Sequence, residues 1–103
     1  MWAQLISMRL KPGREGELPM VYEQLRAAEQ PGSGLLRTIA MRSQSEPERV
    51  YNFVIFESEE KARARELDPR RQEALAGVRA TMAEIFDGPS EFVDLVVVED
   101  TSY

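Results

Sequence analysis

The strongest hydrophobic pattern in the chain lies at residues 50–57, where β-branched and aromatic residues outnumber polar ones. This composition favours a pleated, packed strand over a helix. Apolar side chains stand on both alternating faces, so the pattern predicts a central strand that is covered on each side. The two faces are Tyr51, Phe53, Ile55, Glu57 and Val50, Asn52, Val54, Phe56.

Asn52 is the one polar side chain in the middle of this predicted strand. A buried amide needs a hydrogen-bond partner, a water molecule or a ligand to offset the hydration that it loses. Asn52 is therefore the first candidate for a functional residue.

The rest of the chain alternates between strand and helix patterns. Loosely alternating apolar residues predict a first strand at residues 2–11, and a helical period predicts a helix at residues 17–29. A second strand is predicted at residues 35–42 and a last, Val-rich strand at residues 91–99. Pro-Gly turns and a polar loop separate these elements.

Two capping signals follow the central strand. Ser58 can cap a helix at residues 59–66, and Asp68 can cap a second helix with Pro69 in its first turn. The apolar stripe of this second helical segment is Leu75, Val78, Met82, Ile85 and Phe86. The pattern therefore predicts two helical pieces between the third and fourth strands.

The order of elements is β-α-β-β-α-β, which predicts an α+β fold of the ferredoxin-like type, with an antiparallel sheet and its helices on one face. The strands at residues 50–56 and 92–98 have apolar residues on both of their faces. The open sheet face of a monomer is therefore expected to be an apolar patch. We expect a second copy to cover it and form a homodimeric α+β barrel. An acidic substitution at Val96 is expected to break this dimer if Val96 faces the partner.

Composition narrows the chemistry that the chain can perform. The length of 103 residues predicts a single domain, and the chain has no cysteine and no histidine. This excludes disulfides, thiolate nucleophiles, imidazole bases and the usual protein ligands of zinc and haem iron. No motif for a nucleotide, a flavin or a metal is visible, so we predict no cofactor and no metal.

Charge and hydropathy restrict the partners. The formal net charge is -5, whereas nucleic-acid-binding proteins usually present a basic field. No apolar run approaches the roughly 20 residues of a membrane span, and the first residues lack the basic segment of a signal peptide. We predict a soluble, cytoplasmic protein that binds neither nucleic acid nor membrane.

The chain resembles the antibiotic biosynthesis monooxygenase family of dimeric α+β barrels over nearly its whole length. The pieces that carry the resemblance are, in order, Lys11-Pro12-Gly13, Gln30-Pro31-Gly32, Phe56-Glu57-Ser58 with the Ala- and Arg-rich helix after it, and Asp68-Pro69. Members of this family include oxygenases that use no cofactor, haem-degrading oxygenases and many proteins of undefined role.

The resemblance also aligns individual residues. Some members have an Asn four positions before a Trp-Glu pair at the end of the third strand, and Asn52 and Phe56-Glu57 match this pattern with Phe in place of Trp. The family often has one His in the following helix and another in the turn after it, and Arg65 and Arg70 stand at these positions. The resemblance therefore supplies no axial imidazole, and we expect that haem is not the cofactor.

Asn52 and Phe56 share a strand face and are predicted to line one pocket between the sheet and the helices. In the cofactor-free oxygenases that the chain resembles, a phenolic or anthrone substrate loses a proton and its anion reduces oxygen directly. An amide donor at Asn52 would favour that anion. The alternative is that Asn52 bonds a strand carbonyl or water and that Phe56 belongs to the core.

Two charged residues complete the candidate catalytic set. Glu57 could act as a base if it is partly buried, or it could cap the next helix or pair with an Arg. Arg65 could steady an oxyanion, or it could belong, with Arg63, Arg70 and Arg71, to a solvated and ion-paired helix surface. The candidate substrate-binding residues, which could equally be core, are Trp2, Tyr22, Phe56, Met82 and Phe86.

Two classes of function remain open from the sequence. The first is a cofactor-independent monooxygenase that acts on a small aromatic or polyketide-like compound. The second is a non-catalytic dimeric barrel that binds a small apolar ligand or serves as an accessory subunit. Polar groups that converge in the pocket would favour the first, and a collapsed or wholly apolar cavity would favour the second.

Overall fold

Four strands form one antiparallel sheet in the computed structural model, which describes all 103 residues. The strands are β1 (Trp2–Arg9), β2 (Leu35–Arg42), β3 (Arg49–Phe56) and β4 (Glu91–Val96). Their order across the sheet is β2-β3-β1-β4, so the central pair is β3 and β1. This is the ferredoxin-like arrangement that the order of elements predicts.

The helices lie on one side of this sheet. They are α1 (Leu18–Ala28), α2 (Glu59–Glu66), α3 (Pro69–Ala74) and α4 (Ala76–Ile85), with a short 3₁₀ turn at Glu15–Glu17 before α1. The Ser58 hydroxyl accepts a hydrogen bond from the backbone N–H of Lys61 at 3.2 Å. The Asp68 carboxylate accepts one from the N–H of Arg70 at 2.9 Å. Both predicted caps are therefore confirmed.

The strand limits differ from the sequence prediction at the two outer ends. Leu10 forms only an isolated bridge with Phe86 after β1 ends at Arg9. The last strand ends at Val96 and not at residue 99. The N–H of Val97 makes the last bond to β1, to the Met1 carbonyl at 3.3 Å, and beyond it β4 has passed the beginning of β1, its only neighbour.

The core beneath the helices is divided between the two ends of the sheet. One cluster consists of Met8, Leu10, Val21, Val50 and Ile85. The other consists of Trp2, Val54, Phe56 and Ala62. A third, between α1 and the helices α3 and α4, consists of Ala28, Leu75 and Val78. Ile6 packs against both sheet clusters, so it marks the middle of the helix-side face.

The opposite face of the sheet is open, and it is as apolar as the sequence pattern predicts. Directly paired residues of antiparallel strands point to the same side, and the register places the following apolar residues on this side: Ala3, Leu5, Ile39, Met41, Tyr51, Phe53, Ile55, Val93 and Leu95. Val96 pairs with the buried Trp2, and it therefore points to the helix side of the sheet. The better positions for testing this face are thus Val93 and Leu95.

None of the helices has both the length and the apolar character that a membrane crossing requires.

Candidate functional site

A row of four side chains crosses the middle of the helix-side sheet face. Ala40, Asn52, Ile6 and Phe92 are direct neighbours on β2, β3, β1 and β4. The row lies between the two sheet clusters, and Phe92 at its outer end is 60% exposed. Here the helix layer leaves the sheet partly uncovered, and this is where Asn52 stands.

Tyr22 of α1 reaches down to this row. Its hydroxyl donates a hydrogen bond to Oδ1 of Asn52 at 2.6 Å, and both side chains are half-buried. This bond orients the amide, because the oxygen is occupied and the nitrogen must point elsewhere. Asn52 Nδ2 makes no hydrogen bond within the chain, and it is not fully buried. Its two N–H donors are therefore open to a ligand.

Burial raises the pKa of the Tyr22 hydroxyl above its usual value. The Asn52 amide partly offsets this shift, because it can rotate and donate an N–H to the phenolate. Tyr22 is therefore a neutral phenol near pH 7 and serves as a donor, not as a base. It positions the amide, and the amide presents the reactive donors.

Arg65 of α2 makes the least exposed ion pair of the structure. Its Nη2 and Nε lie 2.6 and 3.0 Å from the two carboxylate oxygens of Glu29, at the end of α1. The two side chains are 16% and 25% exposed. The guanidinium also lies over the Phe56 ring at 5.3 Å. Arg65 is thus held by the protein's own carboxylate and ring, and it is not part of a solvated surface.

Glu29 stays ionised in this environment although it is half-buried. Burial pushes its pKa upward, but hydrogen bonds from Arg65 and Ser33 and the charges of Arg65 and Arg71 outweigh burial and hold the pKa below its usual value. The ion pair therefore ties the end of α1 to α2 at neutral pH.

Two of the predicted substrate-binding residues are buried in the core. Trp2 and Phe56 are 6% and 2% exposed, and their rings pack with centroids 5.9 Å apart. Arg63 covers Trp2 at 5.0 Å, as Arg65 covers Phe56. Both rings lie beneath guanidinium groups and belong to a core cluster, so they offer a ligand little surface in this arrangement.

The remaining predicted residues divide between the site and the surface. Met82 and Phe86 pack against the cluster around Met8 and Val50, where they are half-buried. Glu57 is exposed and forms an ion pair with Lys61, one turn into α2. Glu57 therefore lacks the partial burial that a role as a base would require. It also stands an odd number of positions from Asn52, so the two side chains point to opposite faces of the sheet.

Four residues of this region are not apparent from the sequence. Ile6 and Phe92 extend the row of Asn52 across the sheet, and only the strand register reveals this. Glu29 is the partner of Arg65, a contact across 36 residues that no local pattern shows. Arg71, which the sequence assigned to a solvated surface, is half-buried. The i, i+4 and i+7 spacing of Arg71, Leu75 and Val78 is the one signal that could have found it.

The fold of the chain is that of the antibiotic biosynthesis monooxygenases. MhuD, in a single-site mutant with two manganese protoporphyrin IX molecules bound per active site, superposes with a TM-score of 0.81, 21% identity and full coverage of both chains. A candidate antibiotic biosynthesis monooxygenase of Bordetella bronchiseptica gives a TM-score of 0.75 and 21% identity over 95% of this chain and 97% of its own.

SnoaB, a cofactor-independent oxygenase of Streptomyces nogalater, gives a TM-score of 0.72 and 15% identity over 96% of this chain and 94% of its own. No protein-family model matches the chain, and no curated protein is detectably similar to it in sequence. At these identities the similarity establishes the fold.

The residues of this chain do not fit the porphyrin that MhuD binds. Haem iron is usually held by His, Cys, Met or Tyr. The chain has no His or Cys, and Met82, the methionine of the predicted site, packs against the core cluster around Met8. Tyr22, the tyrosine of the site, donates its proton to Asn52. The two Arg residues at the family's His positions are committed to carboxylates, Arg65 to Glu29 and Arg70 to Asp68.

Proposed function

We propose that the protein is a cofactor-independent monooxygenase that acts on a small aromatic or polyketide-like substrate. The observation that supports this most directly is the Asn52 amide. Its oxygen is held by Tyr22, and its two N–H donors are free at a gap in the helix layer. Such a donor, held in place and partly shielded from water, stabilises an oxyanion better than water does.

The reaction follows from that donor. A phenolic or enolic substrate binds with its oxygen at Asn52 Nδ2 and its ring over Ile6 and towards Phe92, its neighbours in the row. The hydrogen bond favours the substrate oxyanion, and the proton leaves to solvent. The electron-rich anion then reduces oxygen directly. One oxygen atom enters the substrate, the other leaves as water, and the substrate supplies the electrons.

Oxygen uptake with anthrone and quinol substrates tests this proposal. Removal of one oxyanion donor typically lowers kcat by about 100- to 1000-fold, so we expect an effect of this order for Asn52→Ala. Tyr22→Phe should have a smaller effect, because it releases the amide without removing it. Gln44→Ala removes an amide from an exposed loop and serves as the control.

An Asn52→Ala enzyme as fast as the wild type would overturn the role of the amide. Absence of turnover with every quinol and anthrone offered would instead favour a protein that binds without catalysis.

We also propose that a second copy of the chain covers the open sheet face. Four strands at about 4.8 Å spacing, with about seven residues at 3.3 Å each, make a face of roughly 19 by 23 Å. An apolar face of this size matches the largest apolar patches of monomeric proteins, which are often interaction sites. A cavity of about 340 Å³ on this face, partly walled by the C-terminal segment, adds further apolar surface for a partner.

A non-catalytic binding or accessory role is the second candidate, and the closure of Trp2 and Phe56 favours it. The described cavities also lie away from Asn52. One is the cavity on the open face. The other, of about 330 Å³, lies between α1 and the helices α3 and α4 and is lined by Gln24, Ala27, Ala28, Ala74, Gly77 and Val78. Binding of an aromatic compound without oxygen uptake would support this role.

A further inference from the structure

Arg71 occupies a position that would ordinarily be apolar. It lies four residues before Leu75 and seven before Val78, and both of these are buried against α1. Residues at this spacing share one face of a helical segment. The inward stripe of α3 and α4 therefore begins with a guanidinium, and Arg71 is half-buried as this position implies.

No carboxylate of the protein forms an ion pair with this guanidinium. Arg71 forms no side-chain hydrogen bond and no ion pair, whereas Arg63, Arg65 and Arg70 each hold a carboxylate. The charges that act on it are those of Arg65, Glu29, Arg79 and Glu66. Glu29 already accepts the bidentate pair from Arg65, Glu66 is exposed, and Arg79 donates to Gln72 at 2.8 Å.

Burial lowers the pKa of Arg71, repulsion by Arg65 and Arg79 adds to this effect, and the charges of Glu29 and Glu66 offset it only in part. The guanidinium nevertheless stays charged, as arginine does in proteins. The end of the helix layer around Glu29 thus holds two inward-facing cations and one carboxylate. Burying a cation without a counter-ion is costly, and a ligand anion would remove that cost.

We propose that Arg71 binds a carboxylate of the ligand, so that the ligand of this protein is an aromatic or polyketide-like acid. This inference rests on the proposed function for the position of the other end of the ligand, at Asn52. Tyr22 contacts Asn52, and Glu29, at the Arg65 and Arg71 end, follows seven residues later along α1. Seven residues of helix span about 10 Å, roughly the length of two or three fused rings.

Two naphthalene probes measured by calorimetry test the proposal. One is naphthol, and the other is the hydroxynaphthoate whose carboxylate lies on the ring opposite to the hydroxyl. A charge-assisted bond should make the hydroxynaphthoate bind about tenfold or more tightly. Arg71→Gln should abolish this preference and leave the affinity for naphthol unchanged.

Two further variants make the result specific. Arg70→Gln changes the exposed neighbour that is paired with Asp68, and it should keep the preference. Arg71→Lys keeps the charge and should keep part of the preference. Circular dichroism and thermal unfolding would confirm that each variant is folded.

The outcomes separate this inference from the proposed function. Equal binding of both probes, or a preference that survives Arg71→Gln, would overturn the carboxylate site, while naphthol binding that depends on Asn52 would still support the proposed site. Binding of hydroxynaphthoate that depends on Arg71 but not on Asn52 would support the anion site and count against the proposed orientation. Failure of both probes to bind would count against the inference as well.

Discussion

Tyr22 and Asn52 join α1 to the central strand through one hydrogen bond, and this bond determines which atoms of the amide a ligand meets. An Asn at this place without the phenol could present either its oxygen or its nitrogen. The pair therefore acts as a unit, in which one residue contacts the substrate and the other sets its orientation.

The Tyr22 hydroxyl should ionise at a higher pH than an exposed tyrosine, because burial raises its pKa. Asn52→Leu keeps the site apolar and removes the group that can stabilise the phenolate, so it should raise the pKa of Tyr22 further. Titration of tyrosinate absorbance measures this, and Tyr22→Phe identifies which transition belongs to Tyr22.

The same shift has a consequence for stability. A raised pKa in the folded state contributes stability below the unfolded value of about 10, and that contribution is lost as the pH rises through the folded value. Tyr22→Phe should therefore resist alkaline unfolding better than the wild type. An unchanged alkaline transition in this variant would mean that Tyr22 is solvated.

The Arg65–Glu29 ion pair connects α2 to the end of α1. Glu29→Gln should destabilise the fold at neutral pH by about 1 to 3 kcal/mol, between the values for exposed and buried pairs. Glu23→Gln on the exposed side of α1 is the control and should change the free energy of unfolding little.

The pH dependence of this difference has a definite sign. The pKa of Glu29 is lowered on folding, so its contribution is present above the unfolded value of about 4.3 and is lost as the pH falls through the folded value. Chemical denaturation at several pH values should show the wild type and Glu29→Gln converging in acid. A constant difference would show that packing, and not the charge, is responsible.

Elements with local boundary signals were the predictable part of this fold. The limits of β2 and α2 agree with the sequence prediction, because Gly34 precedes one and the capping Ser58 precedes the other. The interruption at Leu75 between α3 and α4 has no comparable local signal and was not predicted. A capping hydroxyl or a turn glycine acts on its own neighbours, so its effect is visible in the sequence.

The candidate site was predictable only in part, for the corresponding reason. Asn52 stands out within its own strand, but its bond with Tyr22 spans 30 residues and depends on how α1 crosses the sheet. For Glu57 the sequence left open a base and an ion-paired residue, and its place at a strand end did not show that it would be exposed and paired with Lys61. Burial and pairing are properties of the assembled layers, which the strand register determines.

At the scale of the whole molecule, the open sheet face gives a direct test of association. Val93 lies on this face and is 49% exposed in one chain. Val93→Asp would place an unpaired carboxylate in the proposed interface and should dissociate the dimer. Leu67→Asp, at a position that is 80% exposed after α2, should not.

Sedimentation at micromolar concentration distinguishes the outcomes. The wild type and Leu67→Asp should sediment at twice the mass of one chain, and Val93→Asp at the mass of a single chain or as an unfolded species. A wild-type protein that sediments as a cooperative, folded monomer would contradict the covered face.

The division of the helix layer has a consequence for how the molecule opens. The sheet is continuous, but α2 is separated from α3 by a break at Leu67, and its one buried residue, Ala62, belongs to the cluster of Trp2 and Phe56, whereas Ile85 of α4 belongs to the separate cluster around Met8. Such a segment can detach locally at a free energy below that of global unfolding. The rings of Trp2 and Phe56 would then be uncovered transiently while the strands stay paired, and a ligand wider than the resting gap could enter without the fold being lost.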